Sequence, residues 1–361
     1  GILSITWQQV VMYVIGGLLI WLAVKKEMEP ALLLPMGFGA ILVNIPMSGV
    51  LTQTMEGAGQ VEGIIDWLFE VGIHASEAMP LLLFIGIGAM IDFGPVLSNP
   101  KLLLFGAAAQ FGVFLTIPVA SLLGFALDGP TSILVSLVLR SKYIGAIAVA
   151  AYSYMALVPI IQPFAIKLCT TKKERRIRMP YEPKSVSRMT RLLFPIGVTL
   201  VAGLVAPASV SLVGFLMFGN LIRECGVLEN LSQTAQKELA NLITLLLGIT
   251  IAASMKAESF INVQTVMIMA LGVVAFVFDT MAGCMFAKII NLFSKNKINP
   301  MVGAAGISAF PMSSRVIQKM GLKEDPTNHL LMHAVGANVA GQIGSVIVGG
   351  VILGLVPGML L

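Results

Sequence analysis

The chain is 361 residues long, 57% of them apolar and 11% charged, with a net charge of +5. A soluble protein of this size keeps about a quarter of its residues charged, so most of this surface must face something other than water. The positive excess does not suggest nucleic-acid binding. Nine basic and two acidic residues crowd into 167–191 (KLCTTKKERRIRMPYEPKSVSRMTR), and such a loop between apolar segments is expected on the cytoplasmic side.

From the N-terminus, the first apolar run, Val10–Val24, stops at Lys25-Lys26-Glu27. No charged segment and small-residue cleavage site frame it, so a retained span is expected rather than a removable leader. Further apolar stretches lie at 31–47, 79–97, 102–127, 133–166, 192–222, 240–254, 262–293, 301–312 and 330–361. A span needs about 20 residues, so the longer stretches hold two crossings, or one crossing and a re-entrant hairpin; about nine to eleven crossing segments are expected. Segment 56–78 is mixed in character and is expected at the interface. Gly, Pro and Asn interrupt many stretches. Such breaks free backbone groups that lipid cannot satisfy, and they are tolerated only inside protein or beside a wet cavity. The predicted class is therefore an all-α polytopic membrane protein with discontinuous helices and a transporter-like core.

Two halves echo each other. Asn99-Pro100 precedes Gly106-Ala-Ala-Ala-Gln-Phe-Gly112, and Asn299-Pro300 precedes Gly303-Ala-Ala-Gly-Ile-Ser308. Each is followed by a polar break, Asp128-Gly-Pro-Thr131 in the first half and Gly336-Ala-Asn338 in the second. Paired interruptions point to repeats with a binding site between them, against chance likeness among Gly/Ala-rich segments. The expected division is 1–78 (N-terminal spans and interfacial segment), 79–166 (first repeat core), 167–191 (basic loop) and 192–361 (second repeat core). Gly106 to Asp128 is 22 residues, whereas Gly303 to Asn338 is 35. Either the repeats are unequal or residues are lacking near Leu127; the second is the expectation.

Ionisable groups inside hydrocarbon are costly and are functional candidates by default. Asp128 opens DGPTS, where Gly129 and Pro130 leave carbonyls free beside the hydroxyls of Thr131 and Ser132. That is a hard-oxygen set suited to Na⁺; equally, it is a helix N-cap. Tyr154, in AAYSYMALVPIIQP, can carry a proton or stand as an interfacial belt tyrosine. In NPMVGAAGISAFPMSSR, Asn299 and Gly303 share a helical face, and Arg315 can hold a carboxylate by two parallel hydrogen bonds or snorkel to the headgroups. Asn338 offers a neutral oxygen ligand or a helix–helix hydrogen bond, with Gly341 and Gly344 letting a second backbone approach. Arg223-Glu224 is read as a paired helix terminus and Asp92 as a helix end or turn. No role is assigned to Asp279. The three histidines and three cysteines have no metal-ligand spacing, and there is no P-loop, GxSxG or HExxH.

The motifs GIGAMIDFGP, GAAAQFG, DGPTS, AAYSYMALVPIIQP, VAPASVSLVGFLMFGNLIREC, NPMVGAAGISAFPMSSR and HAVGANVAGQIGS resemble the β subunit of the sodium-translocating, biotin-dependent decarboxylases, from about residue 30 to the end. The resemblance implies a bacterial inner-membrane, multi-pass subunit with inverted repeats, re-entrant hairpins and an elevator-transporter-like fold. It implies that carboxybiotin, made by a carboxyltransferase partner on a biotin carrier, is decarboxylated here with uptake of a proton and export of Na⁺. A small membrane-anchor subunit and a homo-oligomer of this chain are further implied. By motif, Asp128 is implied as the central Na⁺ carboxylate and Tyr154 as proton carrier. Asn299, Gly303, Ser308 and Asn338 are implied in ion binding, and Arg315 in holding carboxybiotin; Asp128, Tyr154 and Arg315 make the implied catalytic set. One departure is that SLLGFAL stands before DGPT, where the family has a Gly/Ile/Ala-rich run. The rival functions are a stand-alone secondary transporter, for a carboxylate or for Na⁺/H⁺ exchange, and a structural anchor. A biotinylated partner and avidin inhibition separate the first rival; the polar breaks argue against the second.

Overall fold

The computed structural model describes residues 4–27, 30–55, 59–74, 78–111, 158–180, 185–294, 296–307, 309 and 312–359. Helix α1 (Trp7–Lys26) begins at Thr6, whose hydroxyl accepts from Gln9 N while the Gln9 side chain accepts from Thr6 N. This capping box satisfies two of the free donors of a helix start. The helix stops beyond Lys25 and Lys26 at Glu27, which is in the left-handed region. Helix α2 (Pro30–Val43) packs back on α1, and Gly16 and Gly37 lie so close that a Cβ on either would meet the other's carbonyl oxygen at 2.7 Å. A small antiparallel hairpin follows, β1 (Gln53–Met55) with β2 (Gly59–Val61), Thr54 opposite Gln60. This departs from an all-helical chain; β2 falls within 56–78, the stretch expected to be interfacial, and β1 lies just before it.

Helix α3 (Ile64–Phe69) runs through a π turn at Glu70–His74 and meets α4 (Ala78–Met90) at 64°. Next come α5 (Gly94–Ser98), a 3₁₀ turn at Pro100–Leu102, and α6 (Leu103–Ala109). The later helices are α7 (Val158–Cys169), α8 (Lys172–Arg175), α9 (Arg188–Val205), α10 (Val210–Glu224) and α11 (Glu229–Ser254), then α12 (Ala257–Phe260), α13 (Val263–Phe293), α14 (Pro300–Ala304), α15 (Met312–Glu324) and α16 (Leu331–Met359). The apolar stretch 192–222 is therefore two helices, parted at Ala206-Pro207 where proline cannot donate to the preceding turn.

Among the described residues, five helices are long and apolar enough to cross a membrane: α1, α9, α11, and the apolar lengths of α13 and α16; the bent α3–α4 pair makes six. Shorter apolar helices are α2, Pro100–Ala109 and α7. The chain is an all-α, multi-pass membrane protein, with one small hairpin among the described residues. Burial separates two kinds of span. Only 11% of the α9 span is covered by the rest of the protein, against 78% of the α16 span. Leu204 and Val205 of α9 are left bare, as lipid-facing residues are, whereas α16 is a core element.

Among the described residues the apolar core falls into four groups, the smallest being Val43, Ile65, Ala252 and Ala253. One joins α1, α2 and α11 with Met79 and Leu83 of α4. Another joins α4, α10 and α16. The largest gathers α6, α7, α13, α14, α15 and α16, and the broken segment between α14 and α15 lies inside it.

Candidate functional site

The segment 299–312 is anchored at its start. Asn299 caps α14, its Oδ1 accepting from Met301 N at 3.1 Å, with Pro300 in the first turn where its missing N–H is not needed. The Nδ2 of the same side chain donates to Arg175 O at 2.8 Å and Ile177 O at 2.9 Å. Gly303 then crosses Gly283 of α13 backbone to backbone, leaving no room for a Cβ on either. α14 ends after one turn, and the next described helix begins at Met312.

The break lies at a triple crossing. Gly306 rests on the backbone of Phe105 in α6, Gly341 of α16 rests on Gly306, and Gly106 rests on Ala340 and Gly341. Gly344 adds a further approach, since a Cβ placed on it would lie 3.1 Å from Gly106 O. The two echoing Asn-Pro segments therefore meet each other. Each makes the same first-turn bond, Leu102 N to Asn99 O at 3.0 Å and Val302 N to Asn299 O at 2.9 Å. Small residues at these points let backbones touch where a side chain would hold them apart.

Two buried amides hold the break. Asn338 of α16 donates from Nδ2 to Ile307 O at 2.6 Å. Gln162 of α7 donates from Nε2 to Ala304 O at 2.9 Å and to Ser313 Oγ at 2.6 Å, spanning the break from one side to the other. A carbonyl oxygen only accepts, so the nitrogen end of each amide must face it and the oxygen end is turned away. Among the described residues, three buried side-chain atoms lack a hydrogen-bond partner: Gln162 Oε1, Asn338 Oδ1 and Thr265 Oγ1. The first two belong to the side chains that hold this one break.

Arg315 stands in the first turn of α15 on an exposed face. Lys319 and Lys323 follow at successive four-residue steps, and with Lys167 of α7 they line a cavity of about 220 Å³. Asp128, Tyr154 and Ser308 lie outside the described residues. Asn299, Gly303 and Asn338 lie along or against one segment, Asn299 at its anchored start and Asn338 at its break. Asn299 and Asn338 share no hydrogen bond.

The basic loop has a structural role that its charge did not reveal. Arg175, buried, pairs with Glu324 at 2.8 Å and also donates to Thr170 O at 2.7 Å. Arg178 pairs with Asp325 at 2.7 Å, and Lys288 with Glu174 at 3.0 Å. Asn328 Nδ2 donates to Ile177 O at 3.1 Å. Residues 170–180 are thus strapped across the polar end of α15 and the start of α14. The Arg175 guanidinium holds the Glu324 carboxyl below its ordinary range. Arg178, with help from Thr327, pulls Asp325 down to about 2. Elsewhere Asp92 Oδ1 accepts from Gly94 N at 2.8 Å in the turn between α4 and α5. Glu224 pairs with Arg191 at 3.6 Å and Arg223 at 3.7 Å. Asp279 is buried in α13. Gln162 was not singled out from the sequence, although a lone glutamine between Pro159 and Pro163 in an apolar run was the available signal.

A multi-pass membrane protein whose core helix is broken at a glycine crossing, and held there by half-satisfied amides, belongs among proteins that handle ions or polar substrates inside the bilayer. The chain belongs to the family of Na⁺-transporting oxaloacetate decarboxylase beta subunits, whose family model matches residues 8–356. It is 42% identical to the oxaloacetate decarboxylase beta chain of Klebsiella pneumoniae, over 99% of this chain and 98% of that one. It is 44% identical to the methylmalonyl-CoA decarboxylase subunit beta of Propionigenium modestum, over 98% of this chain and 96% of that one. It is likewise 44% identical to the glutaconyl-CoA decarboxylase subunit beta of Acidaminococcus fermentans, over 99% and 96%. That last alignment has 370 positions against the 361 residues of this chain, so the relative carries at least nine residues that are lacking here. Membership makes this chain the membrane subunit of a decarboxylase whose reaction is coupled to Na⁺ transport.

Proposed function

We propose that this subunit decarboxylates carboxybiotin, delivered on a biotin carrier charged by a carboxyltransferase partner, and uses that step to export Na⁺. The supporting observation is Asn338. A fully buried amide keeps its oxygen without a partner beside an interrupted core helix. An unpaired buried acceptor costs about 1–3 kcal/mol, and a hard cation removes that cost by taking the oxygen as a ligand. Asp128 supplies the negative charge, with Ser308 and Asn338 as neutral oxygens. Asn299 and Gly303 serve the ion site through the segment they carry.

In carboxybiotin the bond between the ureido nitrogen and the carboxylate carbon breaks. CO₂ leaves, and the electron pair stays on the ureido group, which takes a proton. Arg315 holds the carboxylate before that step by two parallel hydrogen bonds, on the same helix as Lys319 and Lys323. Tyr154 passes the proton. A nearby cation stabilises the Asp128 carboxylate and a proton neutralises it, so Na⁺ and H⁺ compete for the same group. Transport further requires that the two facing states bind Na⁺ unequally. The four-part division of the chain, with the two Asn-Pro segments as repeat partners moving in the manner of an elevator, gives those states a structural basis. A small membrane-anchor subunit and further copies of this chain complete the assembly.

The test is reconstitution of the assembled complex in lipid vesicles, following radiolabelled Na⁺ uptake and CO₂ release together. Asp128→Asn is expected to abolish both. Decarboxylation that survives in Asp128→Asn, at full rate and without Na⁺, sinks the coupling.

A further inference from the structure

Within the core group around α14, Gln162 is the one described side chain that hydrogen-bonds both sides of the break. It reaches from α7 to Ala304, the last residue of α14, and to Ser313, in the first turn of α15. Its relative exposure is 0%. Both donor hydrogens are committed and its oxygen has no partner. The same pattern occurs in Asn338, which binds Ile307 between those two points. Two such oxygens at one break are not a packing accident to be expected in a well-ordered core, where buried polar side chains are hydrogen-bonded. A half-satisfied polar network in low dielectric is destabilising unless something completes it.

We propose that Gln162 is an ion ligand of the transported Na⁺, its Oε1 joining Asn338 Oδ1 at the break between α14 and α15. The chemistry favours a hard monovalent cation over a proton or an anion. Neutral amide oxygens point a negative dipole end at the ion without titrating, and oxygen donors of this kind suit hard cations. The amide also carries a positioning function. Its nitrogen fixes Ala304 and Ser313, so filling the oxygen side ties ion occupancy to the spacing of the two helix ends. This inference rests on the Na⁺-coupled reading above and adds a residue to it.

The experiment measures decarboxylation by the assembled complex as a function of Na⁺ concentration, for wild type, Gln162→Leu and Gln162→Glu. Both variants lose the two donor contacts, so a merely structural glutamine predicts the same damage from each. A ligand predicts opposite shifts. Gln162→Leu is expected to raise the half-saturating Na⁺ concentration about tenfold, the scale on which metal sites respond to lost supporting groups. Gln162→Glu, which keeps an oxygen and adds charge, is expected to lower it. Its half-saturating concentration should also rise with acidity as the new carboxylate protonates. If Gln162→Leu does not assemble, the Gln162→Glu shift and its pH dependence carry the test alone. Unchanged half-saturation in every variant that assembles, shifts in the same direction, or failure of both variants to assemble assigns the glutamine a structural or water-binding role and overturns the proposal. Wild-type turnover that is indifferent to Na⁺ would instead remove the coupled reading itself, and this proposal with it.

Discussion

Asn44 and Asn338 are both buried amides on apolar helices, and they are treated oppositely. Asn44, at the end of α2, donates from Nδ2 to Ala40 O at 2.8 Å and Met255 O at 2.9 Å, and its Oδ1 accepts from Ala257 N at 2.7 Å. It is used up in joining α2 to the turn after α11. Asn338 and Gln162 commit only their nitrogens. The N-terminal bundle therefore spends its buried polarity on holding helices together, whereas the core around the α14–α15 break holds oxygen in reserve. Burial of polar groups does not separate the two regions; the satisfaction of their amide oxygens does.

The contrast is broken most directly at Asn44. Asn44→Ala removes three hydrogen bonds and strands Met255 O and Ala257 N. With about 1–3 kcal/mol for each buried group left unpaired, a loss of about 3 kcal/mol is expected, read as a lowered midpoint of thermal unfolding in detergent, with the Na⁺ dependence of turnover untouched. Asn338→Ala frees only Ile307 O. Its expected cost is nearer 1–2 kcal/mol, but half-saturating Na⁺ should rise about tenfold. If the two variants show the same ratio of stability loss to Na⁺ shift, the distinction between structural and functional amides collapses.

Much of this site could be read from spacing. Gly341 and Gly344 after Asn338 anticipated a close backbone approach, and Gly306 and Gly106 are the partners they meet. In NPMVGAAG, where Pro and Gly restrict and loosen the chain within a few residues of each other, the helix lasts one turn. Of the two readings of Asn338, the hydrogen bond between segments is made by its nitrogen, and its oxygen is left without a partner. What spacing could not show were contacts between distant parts of the chain. Gln162 reaches Ala304 and Ser313 across 142 and 151 residues, and a single sequence carries no term for such a pair. The strap was hidden for the same reason. Its charge count gave sidedness, while its attachment to Asn299 spans 124 residues.

Asn299 sharpens the comparison inside the core itself, because it lies on the functional segment yet is satisfied like Asn44. Asn299→Ala removes the α14 cap and both bonds to the strap. Loss of a cap costs about 1 kcal/mol, so a modest fall in stability is expected. Residues 170–180 should become accessible to limited proteolysis, and the remaining Na⁺ effect should be smaller than that of Asn338→Ala. An Asn299→Ala effect on half-saturating Na⁺ as large as that of Asn338→Ala would give Asn299 a direct place on the ion instead of a place in the scaffold.

The gentlest perturbation is acid, acting on the strap's far attachment. Asp325 is held down to about 2 from an ordinary value of 3.8 by Arg178 and Thr327. A carboxylate depressed on folding stabilises the folded form above its unfolded value, and the contribution is lost as pH falls through the folded value. The strap should therefore keep its Arg178–Asp325 attachment at neutral pH and release it only between about pH 4 and pH 2, seen as faster hydrogen exchange over 176–180. Arg178→Ala should show that faster exchange already at neutral pH and lose most of the acid-induced change. Asn299 binds the same strap from the buried side through Arg175 O and Ile177 O, by bonds that carry no titrating group, so the segment should loosen at its end and stay seated at Arg175. Equal exchange at 171–175 and 176–180 on acidification would mean that the strap detaches as one unit, and that Asp325 governs the seating of α14.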